Sequence, residues 1–508
     1  MTNMRRNVWD LGNKWADPIL WYARGVGAMR SRALDDPLSW RFYAAMHGIN
    51  AQRWQFLGYL SASDRLPSDD LVAQFWNQCQ HGSWYFLPWH RGYLHAFEET
   101  VRAEIVELGG PADWALPYWN YFKPRQARMP LAFGEPDWPD GIGNNPLFVR
   151  ARYGPAGNGT VFVPTNLVNL QAMNETDFTA TINTTAFGGI DTGFEHDSGI
   201  HGGIEAQPHD MGHVYIGGTR PNADPADPGV MTRPSTAGLD PIFWLHHANI
   251  DRLWASWARS NPNPTEPRWL GGPVFTGGRR FVLPVPDGKS WKEWPFAPAD
   301  VLDTVELGYE YDDLTPGAPP VLFAERQDRR DVPAPAEGGR AVPQDSNVEL
   351  VGATTEPVPV RGSRVGRDIR LDAAMRRKVT EGLAPSPRAA GQSDRLFLNL
   401  ENVRGNSDAA AFDVYVGVPT GEDPADHPDR LAGTIGPFGI TEASSPGSAR
   451  AGQGLSYVLD ITGIVDGLHL DDAFDVDELP VQIVPYRPLP DEVELSIGRI
   501  SIYRQGAR

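Results

Sequence analysis

The sequence predicts a multidomain chain: a mainly α region with a helical-bundle core, followed by an all-β sandwich. Three observations predict it. The chain has 508 residues, too many for one compact core, so two domains are expected. Residues 1–312 combine apolar residues at helical spacing with two separated histidine clusters. Residues 391–508 instead carry short runs rich in Val, Ile, Phe and Tyr, the pattern of strands.

Taken in order, Asp36-Asp-Pro-Leu-Ser-Trp predicts a helix start with Pro37 in the first turn. Pro88 to Leu108 predicts a long amphipathic helix, stopped by Gly109-Gly-Pro. Residues 122–200 are rich in Gly, Pro, Asn and Thr and predict long ordered loops around the core. Pro241 to Arg259 predicts a second long helix, again with Pro near its start. Residues 313–390 turn rich in Pro, Gly, Arg and Glu and predict a linker with one short helix near Leu371–Glu381. Strands are then expected at Arg395-Leu-Phe-Leu-Asn-Leu, Ala411-Phe-Asp-Val-Tyr-Val, Leu479-Pro-Val-Gln-Ile-Val and Glu494-Leu-Ser-Ile-Gly-Arg-Ile-Ser-Ile-Tyr. The expected division is therefore 1–312, 313–390 and 391–508.

The bulk chemistry narrows the function. A net charge of −19 argues against nucleic acid or an anionic membrane as partner. No apolar stretch is long enough to span a bilayer. Arg5-Arg6 is not followed by the apolar run an export signal needs, so a cytoplasmic, bacterial-type protein is expected. The single cysteine excludes an internal disulfide and fits a reducing compartment. Several of the 17 Trp lie beside the histidine motifs, where they are expected to wall a dry, aromatic-binding pocket. A homo-oligomer is compatible with all of this.

The histidines carry the chemistry. The first cluster holds His47, His81 and His90; the second holds His209 and His213, then the pair His246-His247. Each can supply three imidazoles. Neutral imidazole suits copper and zinc, and a set without carboxylates argues against a di-iron centre. Two such sets read as two adjacent metals, each with an open position. His209 and His213 are spaced i, i+4, so one helical turn would present both on one face.

Two segments are specific enough to name a family. His81-Gly-Ser-Trp-Tyr-Phe-Leu-Pro-Trp-His-Arg-Gly-Tyr-Leu-His-Ala-Phe-Glu98 and Asp240-Pro-Ile-Phe-Trp-Leu-His-His-Ala-Asn-Ile-Asp251 resemble the two copper signatures of the tyrosinase, catechol oxidase and polyphenol oxidase family. Trp40 to Gly48, Leu116 to Tyr121 and Leu307 to Asp312 look like family sequence as well, and Phe412-Asp-Val-Tyr-Val resembles the C-terminal β-domain of the plant-type members. The resemblance covers most of 1–312 and, more weakly, the C-terminal part.

The resemblance implies two copper ions, the first held by His47, His81 and His90, the second by His209, His213 and, of the histidine pair, His247. It implies dioxygen and a small phenol as partners: oxidation of o-diphenols to o-quinones, with ortho-hydroxylation of monophenols. Glu205 matches a family glutamate that holds a water near the metals, and a carboxylate so placed is a suitable base for a phenol. Asp210 stands where monophenol-hydroxylating members often carry Asn; a second nearby carboxylate would raise one pKa, making a stronger base or weakening substrate placement. Cys79, two residues before His81, is a candidate for a thioether to that imidazole, against the reading of a buried thiol. Asp251 faces the side of His247 and is expected either to orient a ligand imidazole or to pair with Arg252 or another surface partner. Val214 is expected at the entrance. Phe438, in Gly-Pro-Phe-Gly, is expected either to plug the site from the β-domain or to lie in the sandwich core. His95, His196, His201 and His246 read as ordinary histidines, with His201 nearest the rim, and Arg91 and Glu98 as a structural ion-pair element. Asp210 keeps open a strict catechol oxidase or o-aminophenol oxidase, and the copper pair alone keeps open a hemocyanin-like oxygen carrier.

Overall fold

A computed structural model describes residues 2–139, 143–196, 199–220, 224, 227–317, 347–374, 378–379, 394–419, 421–448, 451–470 and 478–506. Helices Asp17–Ser31, Trp40–His47, Phe86–Glu107 and Pro241–Trp257 build the core of the first region. The predicted start at Asp36 shifts. Asp36 Oδ1 accepts from Leu38 N in a turn, and the helix begins at Trp40 with Ser39 as its cap, Ser39 Oγ accepting from Phe42 N at 3.1 Å. Phe86–Glu107 ends where Gly109 takes φ +82°, a left-handed stop that costs glycine little. Pro241–Trp257 starts with Asp240 Oδ1 accepting from Ile242 N, and it is buried almost all round, as an apolar helix at the centre of a bundle should be.

The two ends of this region are zipped together. Asn3–Arg5 pairs in parallel with Tyr309–Tyr311. Below that pairing the fully buried Arg5 and Arg91 guanidiniums share the Asp251 carboxylate, which also accepts from the hydroxyls of Tyr309 and Tyr311. Arg5 also pairs with Glu98. Opposed charges and hydroxyls held together like this offset the desolvation each would suffer alone. Asp251 thus bonds no ligand imidazole; it forms an ion pair, but with the buried Arg5 and Arg91 and neither at the surface nor with Arg252, whose donors go to Asn249 and to the carbonyls of Asp313, Thr315 and Pro316.

The β region is two sheets around one apolar core. Val365–Arg370, Glu478–Pro485, Phe412–Val416 and Leu431–Ile435 form an antiparallel four-stranded sheet in that spatial order. The other sheet runs Gly199–Ile200, Leu455–Asp460, Arg395–Gly405, Leu495–Gln505 and Val348–Ala353, with Val358–Pro359 also on Leu495–Gln505. Inward side chains of both, such as Ile369, Val414, Leu398 and Ile500, share one cluster. Three of these strands lie inside the segment expected to be linker. Val348–Ala353, Val358–Pro359 and Val365–Arg370 are paired strands, so the β region begins near residue 347. Of the helix expected near Leu371–Glu381, residues 373–374 and 378–379 are helical, and 375–377 and 380–381 lie outside the described residues.

Candidate metal centre

Helix and turn backbones bring six imidazoles to one buried place. Helix Trp40–His47 delivers His47 from its last residue, and Phe86–Glu107 delivers His90 from its first turns. The rings of His47, His81 and His90 form a triangle with centroids 5.3, 5.6 and 5.4 Å apart. Those of His209, His213 and His247 form a second, at 4.5, 4.8 and 5.3 Å. The triangles adjoin: His90 stacks on His247 at 4.6 Å, and the ligand atoms of His47, His90 and His247 lie within 4.8 Å of one another.

The outer nitrogens of five of the six rings are tied down, while His247 Nδ1 is buried with no hydrogen-bond partner among the described residues. His47 Nδ1 lies 2.8 Å from Pro234 O, His90 Nδ1 2.8 Å from Phe86 O, His81 Nδ1 3.2 Å from His196 O and His213 Nδ1 2.8 Å from Met231 O. His209 Nδ1 meets a carboxylate instead, Asp210 Oδ1 at 3.0 Å. Each contact places the ring proton on Nδ1 and leaves Nε2 as a lone pair. Nε2 of His47, His81, His90 and His209 is buried with no protein partner, and His213 Nε2 faces His247 Nε2 at 3.2 Å. Burial holds all six rings below the ordinary histidine pKa, His47 down to about 3, so they are neutral near pH 7. Neutral, oriented, unpartnered nitrogens in two sets of three fit two metals of the borderline-soft kind, copper above all.

His246 joins neither group of ligand atoms, although its ring lies 4.9 Å from that of His213. Its ring sits between Tyr121 and Gly212, where a Cβ on Gly212 would come within 2.4 Å of it, and its pKa is lowered by burial to about 3. His95 packs on Trp294, away from the cluster.

His209 and His213 do share the site, but not on one regular helix. The backbone is kinked at Gln207 (φ −146°, ψ 120°), and the helix proper runs Met211–Gly217. Glu205 is fully buried, and both its oxygens accept from Gly82 N, at 3.0 and 3.1 Å. Burial, then the nearby Asp210 charge, raises its pKa to about 8. The Asp210 pKa is raised as well, with burial again the largest cause, so both carboxylates are shifted and not one alone. Asp210 Oδ2 takes His201 Nδ1 at 2.6 Å while Oδ1 takes His209, so both oxygens are committed to imidazoles. Asp210 thus does for His209 what was expected of Asp251.

Cys79 is buried, its Sγ 3.4 Å from His81 Nδ1 and 3.2 Å from His196 Nδ1. Val214 is buried at the start of the helix that carries His213. The aromatic wall is phenylalanine more than tryptophan. Phe243 lies 4.8 Å from His47 and 4.2 Å from His247, and Phe86 lies 4.6 Å from His90 and 4.7 Å from His209. Trp89 meets the outer faces of His47 and His90, while Trp244 stacks on Phe97 in the core behind. Sequence reasoning passed over both phenylalanines, although each sits inside a signature.

Phe438 reaches this centre from the β region. Its ring stacks on His213 (4.2 Å, 25°) and stands edge-on to His209 and His81 at 5.5 and 5.6 Å. It belongs to the apolar cluster of the α region and not to that of the sandwich. Gly439, at φ +78° beside Pro234, forms the turn that presents it. The turn is pinned on both sides: the Arg233 guanidinium pairs with Asp408, which also accepts from Thr441, and Ser235 Oγ bonds Glu442.

Comparison with known proteins agrees with this geometry. A family model described as the common central domain of tyrosinase matches residues 37–260, and a model described as a domain of unknown function matches 347–505. A tyrosinase of Hahella sp. (strain CCB-MM4) is 34% identical over 517 aligned positions, covering 99% of each chain. A chloroplastic polyphenol oxidase of Malus domestica is 26% identical, covering 91% of this chain and 72% of that one. In fold, the chain is similar to a latent apple tyrosinase (TM-score 0.60, 21% identity, 100% of this chain and 98% of that one). A latent aurone synthase matches with the same TM-score at 19% identity, over 100% of this chain and 90% of that one.

Proposed function

This chain belongs to the tyrosinase family, and we propose that within it the protein oxidises o-diphenols to o-quinones with dioxygen and hydroxylates monophenols at the ortho position. The observation that carries the proposal is the pair of adjoining triangles of buried, neutral imidazoles. His47, His81 and His90 would hold one copper, and His209, His213 and His247 the other. When bound there, copper supplies the electron transfer and dioxygen chemistry that no side chain has.

The rest falls to the residues. A phenol must lose its proton before its oxygen can serve as a ligand, and Glu205 is the group to take it, directly or through one water. Its two bonds from Gly82 N hold the carboxylate in place, and its raised pKa matches it to a weak acid better than an ordinary glutamate. Phe86 and Phe243 fix the ligand rings from either side and keep water out. Val214, next to His213, is proposed to line the way in. Cys79 is proposed to join the His81 ring through a thioether, the two displaced protons and two electrons passing to dioxygen, which is reduced to hydrogen peroxide; an intact mass lighter by two hydrogens would bear this out, and an unchanged mass would leave a plain buried thiol.

A latent state belongs to the same proposal. The Phe438 ring lies where an aromatic substrate would stack on His213. The pinned turn behind it must move before a phenol can enter.

The test is oxygen uptake by the copper-loaded chain with L-tyrosine and, separately, with L-DOPA, before and after limited cleavage between the two regions. Uptake with both substrates supports the full proposal. Uptake with L-DOPA alone reduces it to a catechol oxidase. Uptake with neither, even after cleavage, overturns it and favours an oxygen carrier or an aminophenol oxidase. Equal rates before and after cleavage overturn the plug.

A further inference from the structure

We propose that His201 is the positioning residue of the second metal site, and that the β region holds it in place. The proposal rests on the reading of His209 as a copper ligand.

A chain of contacts runs from the β-sheet to His209. Gly199–Ile200, immediately before His201, is added in parallel to Leu455–Ser456 at the edge of the six-stranded sheet. Two positions on, the Tyr457 ring stands edge-on to the His201 imidazole at 5.9 Å, and its hydroxyl donates to Gly436 O. Gly436 itself lies on the backbone of Asp210 and Met211, so closely that a Cβ there would meet Met211 Sδ at 2.7 Å. Gln207 Nε2 donates to Thr434 O at 2.8 Å. The β region thus grips the segment 199–211 on both sides of Glu205. At the far end, His201 Nδ1 meets Asp210 Oδ2 at 2.6 Å, and Asp210 Oδ1 meets His209 Nδ1 at 3.0 Å.

The carboxylate is the middle link, and it needs both imidazoles. Asp210 is fully buried. A carboxylate oxygen without a donor in a dry interior is costly, so without His201 the group would turn to find one and would release His209. Outer partners of this kind set the orientation and basicity of a metal-bound imidazole. The His201 side chain is 1% exposed, and its Nε2 has no partner and lies 3.8 Å from Glu205 Oε1. The same ring therefore also presents a nitrogen beside the proposed base. One histidine ties the second metal's ligand to the β-sheet, so the region that carries Phe438 also braces the site it covers.

The experiment counts copper in the full-length holoprotein during dialysis against a chelator. It compares wild type with His201→Leu, His201→Gln and Tyr457→Leu, and takes the thermal midpoint of each apo-protein as a control. Wild type is expected to hold two coppers. His201→Leu should lose one of them roughly tenfold or more faster than wild type, with the other unaffected. His201→Gln, whose amide N–H can still reach Asp210, should restore retention, and Tyr457→Leu should fall between. If His201→Leu fails to fold, the contrast of Tyr457→Leu with wild type decides. Equal loss of both coppers, or wild-type retention in both Leu variants, overturns the proposal while leaving the ligand reading intact. A wild type that binds no copper overturns both.

Discussion

The two imidazole triangles are built alike and braced differently. In the first, all three outer nitrogens face backbone carbonyls, of Pro234, His196 and Phe86. In the second, His213 faces the carbonyl of Met231 and His247 Nδ1 has no hydrogen-bond partner among the described residues, but His209 leans on the Asp210 carboxylate, itself held by His201 and through it by the β-sheet. A carbonyl is fixed by the fold and carries no net charge. A carboxylate makes its imidazole a stronger ligand, yet it can be lost through one side chain. The first site should therefore be robust and the second adjustable.

The largest effects come from the ligands themselves. His90→Ala and His213→Ala should each abolish oxygen uptake with L-DOPA, since either triangle is incomplete without its third nitrogen; appreciable uptake by either variant would refute the ligand set. Glu205→Gln should keep both coppers and lower kcat by about 10²–10⁴, most severely for monophenols. An unaltered kcat would remove Glu205 as the base. Asp210→Ala separates the two sites most sharply, weakening the second copper by about 10–100-fold while sparing the first; chelator competition on each variant measures this. Phe438→Ala should raise the rate of the uncut chain several-fold, and loosening its mooring with Asp408→Asn should act in the same direction but less; steady-state rates without protease would read both.

Asp251→Asn has the smallest expected effect on chemistry and serves as the control for both sites. It should leave copper content unchanged but cost about 3–5 kcal/mol of stability by leaving the buried Arg91 without a carboxylate and Arg5 with Glu98 alone. Although burial alone would raise the Asp251 pKa, Arg91 and Arg5 outweigh it and hold the folded value below the ordinary one. The carboxylate's contribution is thus complete above about pH 4 and is lost as pH falls through the lower, folded value. Acid unfolding midpoints of the apo-proteins should show a shallower pH dependence in the variant than in wild type.

What the sequence discloses follows the range of the interaction. The six imidazoles that the fold brings together were legible because each lies in a local pattern tied to its chemistry. The long helices were legible because apolar spacing, Pro at the start and Gly at the end all agree. Asp251 was misread because its partners Arg5, Tyr309 and Tyr311 are far away in sequence. The strands between Val348 and Arg370 were hidden by composition: of Val365–Arg370 only Ile369 is buried, so no alternation stands out. Gly199–Ile200 is too short for any periodicity and becomes a strand only because Leu455–Ser456 is there to pair with it. His201 looked ordinary for the same reason. Its role depends on Asp210 on one side and Tyr457 on the other, and only folding brings all three together.

The most direct test is copper per chain in wild type, His81→Ala and His209→Ala after equilibration with limiting free copper. Six ligands in two sets predict two coppers in the wild type and one in each variant, retained at opposite sites. A wild type that saturates at a single copper, or variants that still bind two, would contradict the paired centre on which every other inference here depends.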